Sequence, residues 1–352
     1  MADENRPSNS PVIPEDELER PEAPTVLSES EAVELLIMTN FVPIGVAVTM
    51  APVDEESDTL DLLEEKFENL VKVHEVDPKI ESKMQEYLPV ICERLVEKLR
   101  ALWVSNKRWN PATDSLVNIL KFYTRNDFEK TKSMLYLLLS LGAHDHNGNV
   151  HLNDICGGEG IAIFMASILR EQFPDSTTSC SCYERNPLEK KAFELLTGKK
   201  RNENFSFRNE DVGVDTVFDK RDDARNIWLI KHPEKATRDI VENIANLTGA
   251  EIPDVIGLQG CTCHSYNSDM KPGADDSIVS QKDWDSLSSI FERYMSNNVY
   301  NDKTAYDLAT RAVKLMDLIR AHYINTQNPL LQAEIHVLPR ISGVGIIKIK
   351  RK

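Results

Sequence analysis

Asp154, Gly157, Gly158, Gly160 and Glu184 have the types and spacing of a ligand site. The segment Asn149–Ile168 reads NVHLNDICGGEGIAIFMASI. It comprises a short apolar strand around Val150 and Leu152, an acid and glycine-rich turn from Asp154 to Gly160, and an apolar helix. Glycines belong there because a strand must turn sharply into a helix while its backbone approaches a ligand, an approach a Cβ would block. Glu184 ends the next expected strand, where an acid can accept hydrogen bonds from both ribose hydroxyls. Its other reading is a helix-start acid stabilised by the helix dipole. The combination favours an adenosine-containing ligand. A dinucleotide fingerprint starting at Gly158 would need glycine at position 163, where Ile163 stands, so a nicotinamide oxidoreductase is disfavoured.

Further along, Lys231 and His232 close the expected fourth strand, and Cys261, Cys263 and His264 follow the fifth. In open α/β sheets these carboxyl ends are where ligands bind. For proton removal and charge stabilisation there, Lys231 would be an electrostatic stabiliser or base and His232 an orienter or base. The alternative is a solvated turn. His264 with Cys261 and Cys263 would position a substrate or, joined by Cys180 and Cys182, form a zinc site. Cys-x-Cys on a strand also describes two small core residues, and no Cys-x-x-Cys pair exists, so no metal is expected. His144, His146 and His151 read as surface or loop residues. Lys314 and Arg320 either reach the cleft or make salt bridges on a solvated face. Lys199, Lys200, Arg201, Lys348, Lys350, Arg351 and Lys352 read as solvated ends of elements.

The elements that must position these groups follow from patterning. Of 352 residues 41% are apolar, enough for a sizeable core. The net charge of −16 is concentrated early: the first 69 residues carry 18 acidic and three basic side chains, and the rest 39 and 38. A polyanion-binding face is neither demanded nor excluded by this balance. Residues 1–27, acidic and with five prolines, are expected to form a disordered tail. Leu35–Val53 has no charge but is interrupted by Asn40, Pro43, Gly45 and Pro52, which favours a buried strand or hairpin over a membrane span. Helical spacing over Thr59–His74, Pro78–Val104 and Asp114–Leu141, the last broken near Arg125–Asp127, predicts a mostly helical domain over 28–144. From 145 to 352 strands and helices alternate. Strands are expected at Val150–Leu152, Ser179–Tyr183, Phe205–Asn209, Asn226–Ile230 and Val255–Leu258, then an antiparallel pair at Ala333–Leu338 and Gly343–Ile349. Helices are expected after Asn186, at Lys235–Leu247 and at Ala305–Ile324. The fold class is α/β: a doubly wound, mainly parallel seven-stranded Rossmann-like sheet with a C-terminal antiparallel hairpin, preceded by the helical domain. Six cysteines and an acidic, Pro-rich N-terminus suggest a reduced intracellular protein, cytoplasmic or nuclear.

The pattern from Asp154 to Gly160, acid-x-x-x-Gly-x-Gly with Cys156 where another glycine is usual, resembles the S-adenosylmethionine loop of the Rossmann-like methyltransferases. That resemblance implies cofactor contacts from Asp154, Cys156, Gly157, Gly158, Gly160 and Glu184. Asp154 would sit below the methionine amine and Asp211 near the adenine amine, a place Asn209 or Glu210 could also take. LIKHPEKATRD (Leu229–Asp239), GCTCHSY (Gly260–Tyr266) and AYDLATRAVKLMDLIRAHYI (Ala305–Ile324) are similar, in order, to segments of the tRNA acceptor-stem 2′-O-methyltransferase family and its methyltransferase-like relatives. The chain departs from that family at Pro233, Glu234 and Lys235, where Leu-Cys-Gly is usual, and in Cys261–His264, where Cys and His pairs are usual. The resemblance implies S-adenosylmethionine as cofactor, Lys231, His232 and His264 as catalytic residues, and RNA ribose as methyl acceptor. Alternatives are a protein or small-molecule acceptor, or a non-catalytic protein acting through partners. RNA is the expected partner, and the helical domain would bind a protein partner or the substrate.

Overall fold

The computed structural model describes residues 54–105, 111–124, 128–198, 204–231, 233, 236–260, 271–273, 279–295, 303–337 and 345–352. The expected acidic tail and the uncharged stretch Leu35–Val53 lie outside them. So do His232, His264, Cys261, Cys263, Lys199, Lys200 and Arg201.

In chain order the elements are α1 (Asp54–Phe67), β1 (Val73–His74), α2 (Pro78–Ser105), α3 (Pro111–Thr124), α4 (Glu129–Ser140), β2 (Val150–Ile155), α5 (Ile161–Arg170), β3 (Thr178–Tyr183), α6 (Glu189–Thr197), β4 (Phe205–Arg208), β5 (Arg225–Lys231), α7 (Thr237–Asn246), β6 (Val255–Gln259), α8 (Gln281–Met295), α9 (Lys303–Gln327), β7 (Leu331–Val337) and β8 (Gly345–Arg351). The strands form one sheet in the order β1-β7-β8-β6-β5-β2-β3-β4, in which β8 alone runs antiparallel to its neighbours β6 and β7. This is the doubly wound Rossmann-like sheet with its C-terminal hairpin. The described sheet has eight strands, not seven. The added one is β1, at the end of the segment expected to be helical to His74. The α1 helix stops at Phe67, and Ile335 N–H then donates to the Lys72 carbonyl, starting a parallel pair with β7.

Every residue of β2 is buried, because a central parallel strand is covered on both faces. On one face Ile155, Tyr183, Trp228, Ile230, Ile256, Leu258, Ile335 and Ile347 share a core with α1, α7, α8 and α9. Leu60, Leu63 and Phe67 of α1 are in that core, and the described residues belong to one compact unit. The opposite face is covered by α4 and α5: a Cβ on Gly257 would lie 2.8 to 3.0 Å from the Leu137 and Leu141 side chains. The parallel register places Asp154, Leu229 and Gly257 in one row of this face, with Lys231 and Gln259 in the next. Two acid–base side chains, Asp154 and Lys231, and the Gln259 amide, from three strands, thus converge at the carboxyl edge.

Several surface expectations are corrected by burial. His144 and His151 are 3% and 2% exposed; His151 Nδ1 lies 2.9 Å from Ser179 Oγ, and desolvation first, then Lys83, pushes His144 down to about 4. Arg320 is buried with Asp317, whose Oδ1 accepts from its guanidinium at 2.7 Å, and stacks over Trp284 of α8, while Lys314 is exposed. Lys348 is half-buried, its ammonium 2.5 Å from the Ser140 carbonyl. α8 itself was not expected, although Trp284, Leu287 and Phe291 have helical spacing and Ser280 Oγ accepts from the Asp283 N–H.

Candidate functional site

The glycine turn closes on itself. Gly160 N–H donates to the Gly157 carbonyl at 2.9 Å, and Gly157 N–H to the Tyr183 carbonyl at 3.3 Å. A Cβ on Gly157 would stand 2.5 Å from Asp154 Cγ, so the glycine is what lets the carboxyl group lie against the turn. Gly160 has φ +77° and backs onto Phe193 of α6, while Gly158 has φ +53° and nothing within 4 Å of the place its Cβ would take. The turn is therefore closed beneath and open at Gly158. Cys156 has φ 58°, the left-handed conformation that glycine takes most readily, and its side chain packs on the main core. Its thiol is pushed up to about 12 by burial and by the charges of Glu184, Asp154 and Asp211, and stays neutral.

Asp154 is 2% exposed, and its Oδ2 has no hydrogen-bond partner among the described residues. Burial pushes its carboxyl up to about 7, Glu184 adding to the rise and Lys231 opposing it. Glu184 is half-buried at the end of β3. Its Oε2 accepts from the Gly158 N–H at 3.2 Å and its Oε1 from the Asn186 N–H at 2.9 Å. A carboxylate has about four acceptor positions, so two remain for hydroxyls. Asn186 closes the next turn, its Oδ1 accepting from Leu188 N–H and its Nδ2 reaching Glu189 of α6. Asp211 is exposed beyond β4, close enough to act on the Cys156 thiol. Asn209, its alternative, donates to the Glu184 and Arg185 carbonyls and so braces the turn.

Lys231 is 8% exposed, and its ammonium meets Tyr123 of α3: Nζ is 3.2 Å from the phenol oxygen and 5.2 Å from the ring centroid. Burial, then the Asp154 and Glu159 charges, raise the phenol well above its ordinary range, so it remains a neutral hydroxyl beside a cation. Ser115, two turns earlier on α3, donates to Glu159 of the glycine turn at 3.3 Å. Thus α3 lies along the site, touching the turn at one end and β5 at the other. Gln259, in register with Lys231, donates to Ser133 of α4 at 3.5 Å and leaves Oε1 without a described partner.

The structure therefore brings together Asp154, Cys156, Gly157, Gly158, Gly160, Glu184 and Lys231, with Asp211 at the margin. The sequence reading missed Tyr123, Glu159, Gln259 and the two serines. Among these, Glu159 lay within the turn read from sequence and Gln259 directly after the expected fifth strand, while Tyr123 and the serines carried no signal.

No family model and no curated protein matches this chain. Among solved structures, the S-adenosylhomocysteine-bound methyltransferase PaMTH1 of Podospora anserina aligns with 12% identity and a TM-score of 0.39, covering 87% of this chain and all of that one. Coclaurine N-methyltransferase, bound to N-methylheliamine and S-adenosylhomocysteine, aligns with 10% identity and a TM-score of 0.30, covering 84% of this chain and 100% of its own. At these identities and scores neither a residue's role nor a substrate carries over.

Proposed function

We propose that this chain is an S-adenosylmethionine-dependent methyltransferase. The observation that supports this most is Asp154, an acid buried at the carboxyl end of β2 with Oδ2 unpaired among the described residues, beneath a glycine turn open at Gly158. A buried, unsatisfied carboxyl is costly unless a ligand completes it, and an ammonium such as a methionine amine would do so. Glu184, with acceptor positions left over, suits ribose hydroxyls, and Asp211 is the acid we assign to the adenine amine. When bound, the cofactor supplies a methyl group on a positively charged sulfur.

The chain's own residues would do the rest. Lys231 places a positive charge at the edge where negative charge grows on an acceptor oxygen. Tyr123, neutral and accepting from Lys231, sets a hydroxyl beside that charge, and α3 screens the site from water. RNA ribose is the acceptor we propose, supported by the resemblance of the Leu229–Asp239 segment, with His232 and His264 assisting proton removal. The helices before β2 would then contact the acceptor as well as the sheet.

Isothermal titration with S-adenosylmethionine tests the cofactor. Wild type is expected to bind, and Asp154→Ala and Gly158→Arg to bind undetectably; no heat with wild type overturns the reading. Labelled methyl transfer to separated RNA, protein and small-molecule fractions then identifies the acceptor. Binding without transfer to any fraction would leave a non-catalytic protein acting through partners.

A further inference from the structure

Away from the cleft, β1 and β7 gather three side chains that the proposed reaction does not use. His74 stands opposite His336 in their parallel pair, and Glu334 lies two residues before His336, so all three project from one face of the sheet. Their candidate ligand atoms lie within 4.8 Å of one another, and all three residues are half-buried. His74 Nε2 is 3.0 Å from Glu334 Oε2, and the two imidazoles stack with centroids 4.5 Å apart at 11°. Gln332 donates to the other Glu334 oxygen at 2.9 Å. Lys348 pairs opposite Glu334 on β8, but its ammonium is held by the Ser140 carbonyl.

We propose that His74, Glu334 and His336 bind one divalent transition-metal ion of the zinc type through two imidazole nitrogens and a carboxylate oxygen. Two histidines and a carboxylate are a ligand set that zinc accepts, with a fourth position open to water. Gln332 holds the carboxylate as an outer partner, the arrangement that orients metal ligands. Metal bonds of about 2.0–2.2 Å require the ligand atoms to draw in to about 3.5 Å of one another. Half-buried side chains reach that by χ rotation, exchanging the His74–Glu334 hydrogen bond for two metal bonds. The ion would fasten the two-residue strand β1, and with it the link between α1 and α2, to the sheet edge.

The test uses the full chain freed of metal by chelation and titrated with Zn²⁺ against a chromogenic chelator, with thermal unfolding alongside. We expect one ion per chain, a raised Tm, and a loss in affinity of at least about tenfold, with no thermal shift, in Glu334→Gln and His336→Asn. Circular dichroism checks that both variants fold. Equal affinity in wild type and variants overturns the proposal, as does binding lost instead in a Cys261→Ser, Cys263→Ser double variant. Should the strand variants misfold, Co²⁺ bound to wild type decides: a ligand-field spectrum of nitrogen and oxygen donors supports the site, and thiolate charge-transfer bands overturn it. None of these outcomes depends on methyl transfer.

Discussion

The Lys231 ammonium lies 3.2 Å from the phenol oxygen of Tyr123, 108 positions away in the chain. A cation from the carboxyl edge of β5 is thereby set against a helix that precedes the whole glycine-turn unit. Tyr123→Phe removes the hydroxyl but keeps the ring near the ammonium. The expected result is a stability loss of about 1–2 kcal/mol and, under the proposed reading, a fall in kcat of about tenfold or more with cofactor affinity unchanged. Denaturant unfolding and steady-state kinetics check both.

Asp154 gives cofactor binding a pH dependence. Its carboxyl titrates at about 7 in the folded chain, above the ordinary carboxylate range because it is buried. An ammonium ligand prefers the ionised form, so affinity is expected to rise from pH 6 to pH 8, with a proton released at the lower pH. Titration calorimetry in two buffers of different ionisation heat measures that proton. For the free protein the sign is opposite. The folded state holds this proton more tightly than the unfolded state, so Asp154 favours folding most at acid pH, and its contribution falls as pH rises towards 7. Asp154→Asn is expected to flatten both dependences, and a retained pH slope in binding would assign it elsewhere.

Cys156 adopts glycine's backbone conformation at φ 58°. A side chain there costs about 1 kcal/mol or somewhat more. Cys156→Gly is expected to leave stability within about 1 kcal/mol, because relief of that strain offsets the added freedom of the unfolded chain. Cys156→Val should lose about 1–2 kcal/mol, since a β-branched side chain fits this region worst. Thermal unfolding of the pair separates backbone strain from thiol chemistry.

Gly160 meets Phe193 across the turn, where a Cβ would lie 2.5 Å from the ring at a φ of +77°. Gly160→Ala is expected to cost about 2–4 kcal/mol, combining the left-handed backbone with overpacking. Phe193→Leu added to it should return part of that loss, and a double-mutant cycle measures how much. Full additivity would show that the backbone, not the ring, fixes the glycine.

The central strands were legible because they are short runs buried on both faces; β3 through β6 fall within a residue of their expected places, while β2 runs three residues past its expected end at Leu152. Asp154, read from sequence as the first residue of the turn, lies with Asn153 inside the fully buried β2. β1 was not legible. Two residues carry no periodicity, and their state is decided by pairing with β7, some 260 positions later. The helical pattern of α8 was present in the sequence, but no glycine or proline marks where it starts.

By itself, the sequence determined the order of elements from β2 to β6 and the acid-and-glycine turn, since each rests on local periodicity and on conformations that few residues tolerate. Tertiary structure alone decided which side chains meet there. Burial moves the Asp154 carboxyl to about 7, α3 sets Tyr123 against Lys231, and strand pairing joins His74 to Glu334 and His336. Those outcomes depend on desolvation and on contacts across long stretches of chain, which no local pattern records.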